Sequence, residues 1–202
     1  MKHTSATKRD AAATARTRGF SLIELLVVMA ILAILLGVGI PNMQQYIVST
    51  RLSSASNEFF TALNVARSEA VRRGTQVTLI TSGAANSRDW TTGWTMFVDA
   101  DRDGALGASE EVIRSSAGVI APMTIYGSTN FGTSVSFDST GRLTSGGGTF
   151  VICYGTQLVA DGIARSRALI LNSAGRARVA FDSNNDKIPE TDTGPVPNCT
   201  NS

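Results

Sequence analysis

Residues 99–110 read Asp99-x-Asp101-x-Asp103-Gly104-x5-Glu110, which matches the calcium-loop pattern D-x-[DN]-x-[DN]-G-x5-E at every specified position. Acidic side chains two apart, a glycine for a sharp turn and a distal carboxylate suit a hard, oxygen-seeking cation, so Ca2+ at Asp99, Asp101, Asp103 and Glu110 is one expectation. The flanks carry strand signals rather than helices, and acidic loops with glycine also serve as plain Asx-turn hairpin connections. Both readings stand. A weaker acidic run, Asp182, Asn184 and Asp186, has Lys187 where the glycine should be and reads as a turn.

A second constellation is cationic. Arg165, Arg167, Arg176 and Arg178 lie in a stretch, 162–181, that contains no acidic residue. If 176–181 is a strand with Ala177, Val179 and Phe181 inward, Arg176 and Arg178 share the solvent face. The turn 172–175 would fold this strand against 165–171 and could bring Arg165 and Arg167 to the same side, if the register permits. Guanidinium groups spaced about 7 Å apart match neighbouring phosphates. A plain solvated hairpin face is the competing account.

Catalytic chemistry finds little to work with. The sole histidine is His3, the two cysteines are Cys153 and Cys199, and past residue 19 the sole lysine is Lys187. No familiar nucleophile and base pair remains, so the chain is not expected to be an enzyme. An even cysteine count in an exported domain reads as one disulfide, Cys153 to Cys199.

These residues need elements to hold them, and the chain is sharply segregated. Residues 20–40 form a nearly continuous apolar run whose one charge is Glu24; as a helix it would span about 31 Å, enough to cross a bilayer core. A lone carboxylate in such a helix costs about 2.5 to 3.5 kcal/mol on insertion scales, so Glu24 should have a partner and a job. Of 18 basic and 16 acidic residues, five and one fall in residues 1–19, leaving a mature part of slight negative charge. Basic residues on the N-terminal flank alone keep that end in the cytoplasm.

After Pro41 the pattern turns amphipathic: Leu52, Ala55, Phe59, Ala62, Ala66 and Ala70 recur at helical spacing, and Arg72, Arg73 and Gly74 form a stop signal. Such a helix over 20–73 would be about 80 Å long. Beyond Gly74, eight strand candidates (76–81, 94–98, 111–115, 120–126, 135–137, 149–154, 167–171 and 176–181) fit two small antiparallel sheets.

The run Gly19-Phe20-Ser21-Leu22-Ile23-Glu24-Leu25-Leu26 resembles the type IV prepilin signature. The resemblance implies cleavage by prepilin peptidase between Gly19 and Phe20, N-methylation of Phe20, and pairing of Glu24 with the terminal ammonium of a neighbouring subunit during assembly. Pro41 resembles the proline that bends or locally melts the pilin spine.

Trp90-Thr-Thr-Gly-Trp94-Thr-Met-Phe-Val-Asp99, Phe137-Asp-Ser-Thr-Gly-Arg142 and Asn172-Ser-Ala-Gly-Arg176 look like the GspH/FimT class of minor pilins and pseudopilins. The implied fold is α+β and type IV pilin-like: a leader (1–19), a transmembrane or filament-core half-helix (20–40), an amphipathic half-helix (41–73) and a β-rich head of two small sheets (74–202). Implied too is a minor pilin held single-pass in the inner membrane, head in the periplasm, then built into an extracellular filament with other pilins. The alternative is an H-type pseudopilin of type II secretion or a purely structural minor pilin. Gly175-Arg176-Ala177-Arg178 resembles the G-R-x-R element with which FimT-type pilins bind DNA for natural transformation. With Arg165 and Arg167 it is the expected contact with DNA phosphates, and apart from calcium no cofactor is expected.

Overall fold

A computed structural model of the chain describes residues 19–84, 87–192 and 194–199; the leader residues 1–18 lie outside the described residues. One helix, α1 (Leu22–Arg73), opens the fold and continues through position 41 without a break. Ser21 and Glu24 stand at capping-box spacing at its start, and an acidic residue in the first turn complements the helix dipole. It stops at Gly74, whose positive φ of 67° and N–H bond to the Ala70 carbonyl (3.0 Å) form a left-handed cap.

The described residues divide into two compact units, with the boundary between Asn42 and Met43. In the first unit large apolar side chains are bare: Phe20, just before the helix, is 80% exposed and Ile34, within it, 69%. Among the described residues no helix is long and apolar enough to cross a membrane. The spanning reading of 20–40 therefore rests on the sequence run itself.

In the second unit the helix buries Val48, Leu52, Ala55, Phe59, Ala62, Leu63, Ala66 and Ala70, the single stripe that the spacing predicts. Two antiparallel sheets share that stripe. The first has the order β3 (Val112–Ser116), β2 (Trp94–Val98), β1 (Val77–Thr81), β5 (Ser134–Phe137). The second has β10 (Ala177–Val179), β9 (Ser166–Leu171), β6 (Gly148–Tyr154), β4 (Met123–Gly127). Two short ribbons that periodicity does not signal, β7 (Val159–Ala160) with β8 (Ile163–Ala164) and β11 (Glu190–Thr191) with β12 (Gly194–Pro195), complete the described strands.

Alternate residues of both sheets face the helix: Val77, Leu79, Met96 and Val135 from one, Ile125, Phe150, Ile152 and Leu169 from the other. The far face of the second sheet has its own small core. There Val151, Cys153, Ala168 and Ile170 pack beneath Ala180, Val196 and Cys199 of the C-terminal segment. Cys153 and Cys199 are joined as a disulfide, with Cα atoms 5.9 Å apart, so this segment is a flap stapled over the sheet.

Two strand boundaries differ from the sequence expectation by more than one residue. Pro122 has no N–H for a ladder, so β4 begins at Met123 and Ile120 lies 86% exposed outside it. The alternation expected to bury Phe181 also fails. The ladder of β10 ends at the pair Val179↔Leu169, and the chain bends to bridge Phe181 with Glu190, carrying the ring into solvent at 74% exposure.

The end of α1 is tied to the β2–β3 connection by ions. Arg73 grips Glu111 with both terminal nitrogens (2.7 and 3.0 Å) and Glu69 with Nε (2.8 Å), while Arg72 reaches Glu69 at 2.5 Å. Hydrogen bonds from Arg72, then Arg73, hold the Glu69 carboxyl down to about 2, and Arg73 lowers that of Glu111. Both carboxylates titrate lower folded than unfolded. Their contribution is therefore complete above the ordinary carboxylate value of 4.5 and lost as pH falls toward 2. Melting temperature should drop across that window, and Glu69→Gln should flatten the drop; an unchanged acid profile in the variant would count against the network.

Candidate functional site

The two Gly-Arg turns turn out to be one object. Asp138 caps the first: its Oδ1 accepts from the Thr140 N–H (2.8 Å), the Thr140 hydroxyl (2.7 Å) and the Arg142 N–H (3.0 Å). Burial acts against its charge, but these bonds and the nearby Arg142 win and hold its carboxyl below the ordinary range. Asn172 caps the second turn, accepting the Arg176 N–H at 3.0 Å. The Leu143 N–H then donates to the Ser173 carbonyl (3.1 Å), locking one turn onto the other.

Gly141 and Gly175 make that contact possible. Both have positive φ (77° and 74°), and a Cβ on Gly175 would run into the Gly141 carbonyl oxygen. From the helix, Arg67 donates its Nε to the same carbonyl at 2.9 Å. Gly175, expected at a phosphate contact, is buried and serves as the packing surface between the turns. Each glycine is followed directly by an exposed arginine, so Arg142 and Arg176 stand on adjoining turns with Arg67 beneath them.

The register answers the question that sequence leaves open. Arg178 pairs with Ile170 and so shares the outer face of the sheet with Ala168 and Ile170. Arg167 has the opposite parity and lies on the helix side, lining a cavity with Gln45, Ser49 and Leu52. Arg165 likewise lines a cavity with Gln44, Ile47 and Val48, and pairs with Asp161 at 3.5 Å. Arg165 and Arg167 therefore do not join Arg176 and Arg178 in one patch. A single-residue difference in parity puts the two pairs on opposite faces.

Arg178 is also not bare. The stapled flap brings Asp192 onto its guanidinium as an ion pair. Sequence reasoning misses this partner because Asp192 lies outside the acid-free stretch and reaches Arg178 only through the flap. It also passes over Arg67 and Arg142, although the repeated Gly-Arg ending of the two turns is a visible signal.

The acidic loop follows β2. Asp99 is fully buried, and its Oδ2 accepts from Gln76 Nε2 (2.7 Å), the Thr78 hydroxyl (2.7 Å) and the Gly104 N–H (3.2 Å). One carboxylate oxygen from each of Asp99, Asp101 and Asp103 lies within 4.8 Å of the others. Glu110 departs from the expectation. Its two oxygens accept the Ala100 N–H (2.9 Å) and the Gly107 N–H (2.8 Å), so it closes the loop as a staple and stands outside the carboxylate group.

A family model described as type II transport protein GspH matches residues 55–175, more than half of the chain. The chain belongs to the GspH family. The prokaryotic N-terminal methylation motif matches residues 14–40, which marks a membrane-anchored pilus component. Glu24 falls within that motif, exposed in the first turn of α1. No curated protein gives a significant match.

Two crystal structures of the type IV minor pilin FimU of Pseudomonas aeruginosa share the fold. One is 25% identical with a TM-score of 0.55, covering 75% of this chain and 96% of the crystallised chain. The other is 23% identical with a TM-score of 0.50, covering 73% and 99%. As a GspH-family protein the chain is a structural filament subunit that assembles with other pilins. The GspH match takes in the buried helix stripe from Ala55 onward, the acidic loop and the first Gly-Arg turn, and ends within the second at Gly175; Arg176, Arg178, Cys199 and the flap lie past it.

Proposed function

We propose that this GspH-family protein is a minor pilin of a type IV pilus whose head holds nucleic-acid phosphates, serving DNA uptake rather than catalysis. The leader is cut between Gly19 and Phe20 by prepilin peptidase, Phe20 is N-methylated, and Glu24 pairs with a neighbouring subunit's amino terminus. The bare apolar surface from Phe20 to Ile40 supports this, since such a surface demands lipid or other helices as cover. The head crosses the inner membrane and ends in the filament.

The observation that carries the DNA reading is the interlocking of the two Gly-Arg turns, which leaves Arg142 and Arg176 exposed on adjoining turns. Asp138, the acid closest in sequence, has its Oδ1 engaged by three turn donors. Arg178 extends the cationic edge once a phosphate displaces Asp192. Such contacts carry no base information, so the binding is indifferent to sequence.

A second reading, a purely structural minor pilin or an H-type pseudopilin of type II secretion, is favoured by that same Asp192. A carboxylate already seated on Arg178 is what a solvated hairpin would show.

Fluorescence anisotropy of the mature full-length chain in detergent with duplex DNA separates the two. Three phosphate contacts from Arg142, Arg176 and Arg178 give a log-affinity against log-salt slope of about −2.7. Arg176→Gln/Arg178→Gln should flatten the slope by about 1.8, and Arg165→Gln/Arg167→Gln should leave it unchanged. Absence of salt-sensitive binding in the intact protein would leave the structural reading standing.

A further inference from the structure

We infer that the loop from Asp99 to Asp103 is a calcium site of the head, independent of any nucleic-acid role. Asp99 sits at 0% exposure with three donors on Oδ2, while its Oδ1 is buried with no hydrogen-bond partner. No ion pair to Asp99 occurs among the described residues. A buried carboxylate oxygen with nothing to bind is costly unless a cation meets it.

The surroundings supply the rest of such a site. One oxygen each from Asp99, Asp101 and Asp103 lies within 4.8 Å of the other two. Two oxygens on opposite sides of one calcium ion, each at 2.3–2.6 Å, stand about 5 Å apart at most, so the three fit around a single ion. Gly104 turns the chain with φ 75° and ties its N–H back to Asp99 Oδ2, wrapping the loop about the buried carboxylate.

Glu110 contributes by closing the loop rather than by ligation, because both its oxygens are held by backbone N–H groups. Three carboxylates without a bidentate fourth make a weak site. The loop thus belongs with extracellular calcium modules, whose dissociation constants are about 10⁻⁴–10⁻³ M. The occupant is a divalent cation of calcium's size, since magnesium demands shorter, near-octahedral bonds that a loop fixed by backbone staples does not supply.

The test uses the mature full-length chain in detergent, with calcium chloride as the probe, followed by titration calorimetry and thermal melting. A melting rise of about 3–6 °C at about 5 mM calcium, reversed by EGTA, is expected. Asp101→Asn/Asp103→Asn should abolish both the heat and the shift; these side chains are exposed, so the variant keeps its fold. No response in the wild-type chain would overturn the assignment. So would a full response in the double variant, or magnesium acting as strongly as calcium. DNA affinity is read separately, and neither result depends on the other.

Discussion

Replacing Phe150 with alanine should cost the head about 3–5 kcal/mol, the largest loss expected from any single truncation in this molecule. Its ring is fully buried and touches three others: Phe59 of α1 (centroids 4.7 Å apart, near-perpendicular), Trp90 (5.2 Å, near-perpendicular) and Phe131 (4.9 Å, stacked). Aromatic pairs contribute beyond their buried area, and three, two edge-to-face and one stacked, end together in this variant. Phe150 also pairs with both Gly127 and Leu169, at the middle of its sheet, where backbone cannot collapse into the void. Set against a total stability of about 5–15 kcal/mol, the loss would leave a marginal head. Urea unfolding followed by the fluorescence of Trp90 and Trp94 would show the midpoint fall steeply; a midpoint within error of the wild type would mean the quartet is not packed as described.

Removing the disulfide ranks next. With Cys153 and Cys199 at a sequence separation of 46, the chain-entropy account assigns about 4 kcal/mol to the closed loop. Cys153→Ala/Cys199→Ala avoids burying a hydroxyl beneath the flap and isolates that effect. The loss should appear first as release of the flap, because Val196 and Cys199 pack there on the outer face of β6 and β9 while the main core lies on the other face. Hydrogen exchange should therefore rise over 188–199 before it rises over β6. If both regions opened together, the flap would be part of the main cooperative unit and the layering would be wrong.

How much of this was legible in the sequence depends on the range over which each feature is determined. The helix stripe from Leu52 to Ala70 and the strand Trp94–Val98 follow from spacing within the segment itself, and the structure reproduces them. Grouping the strands into two antiparallel sheets was also readable, because turn residues divide them evenly. Features set by two distant segments were not. The parity of Arg167 against Arg178 depends on which residue of β9 meets Arg178, and nothing local specifies that. Phe181 alternates correctly on paper, but the ladder ends two residues earlier and the bridge to Glu190 takes over. Glu110 matches a ligand position by count, yet two backbone donors of its own loop claim its oxygens. Arg142 was visible within a motif, and its importance appears only when Gly141 meets Gly175.

The aromatic quartet also bears on how fast the head can form. Phe59, Trp90, Phe131 and Phe150 come from α1, the connection before β2, the turn before β5 and β6, and β1 must wait for β5 across three intervening strands. Contacts so distant along the chain require loops to close before any reward is collected, which is the signature of slow folders. A high contact order makes the unfinished head a long-lived species with its strand edges unpaired. During that interval α1 can form early from local contacts alone, so the helix is the natural template on which both sheets condense.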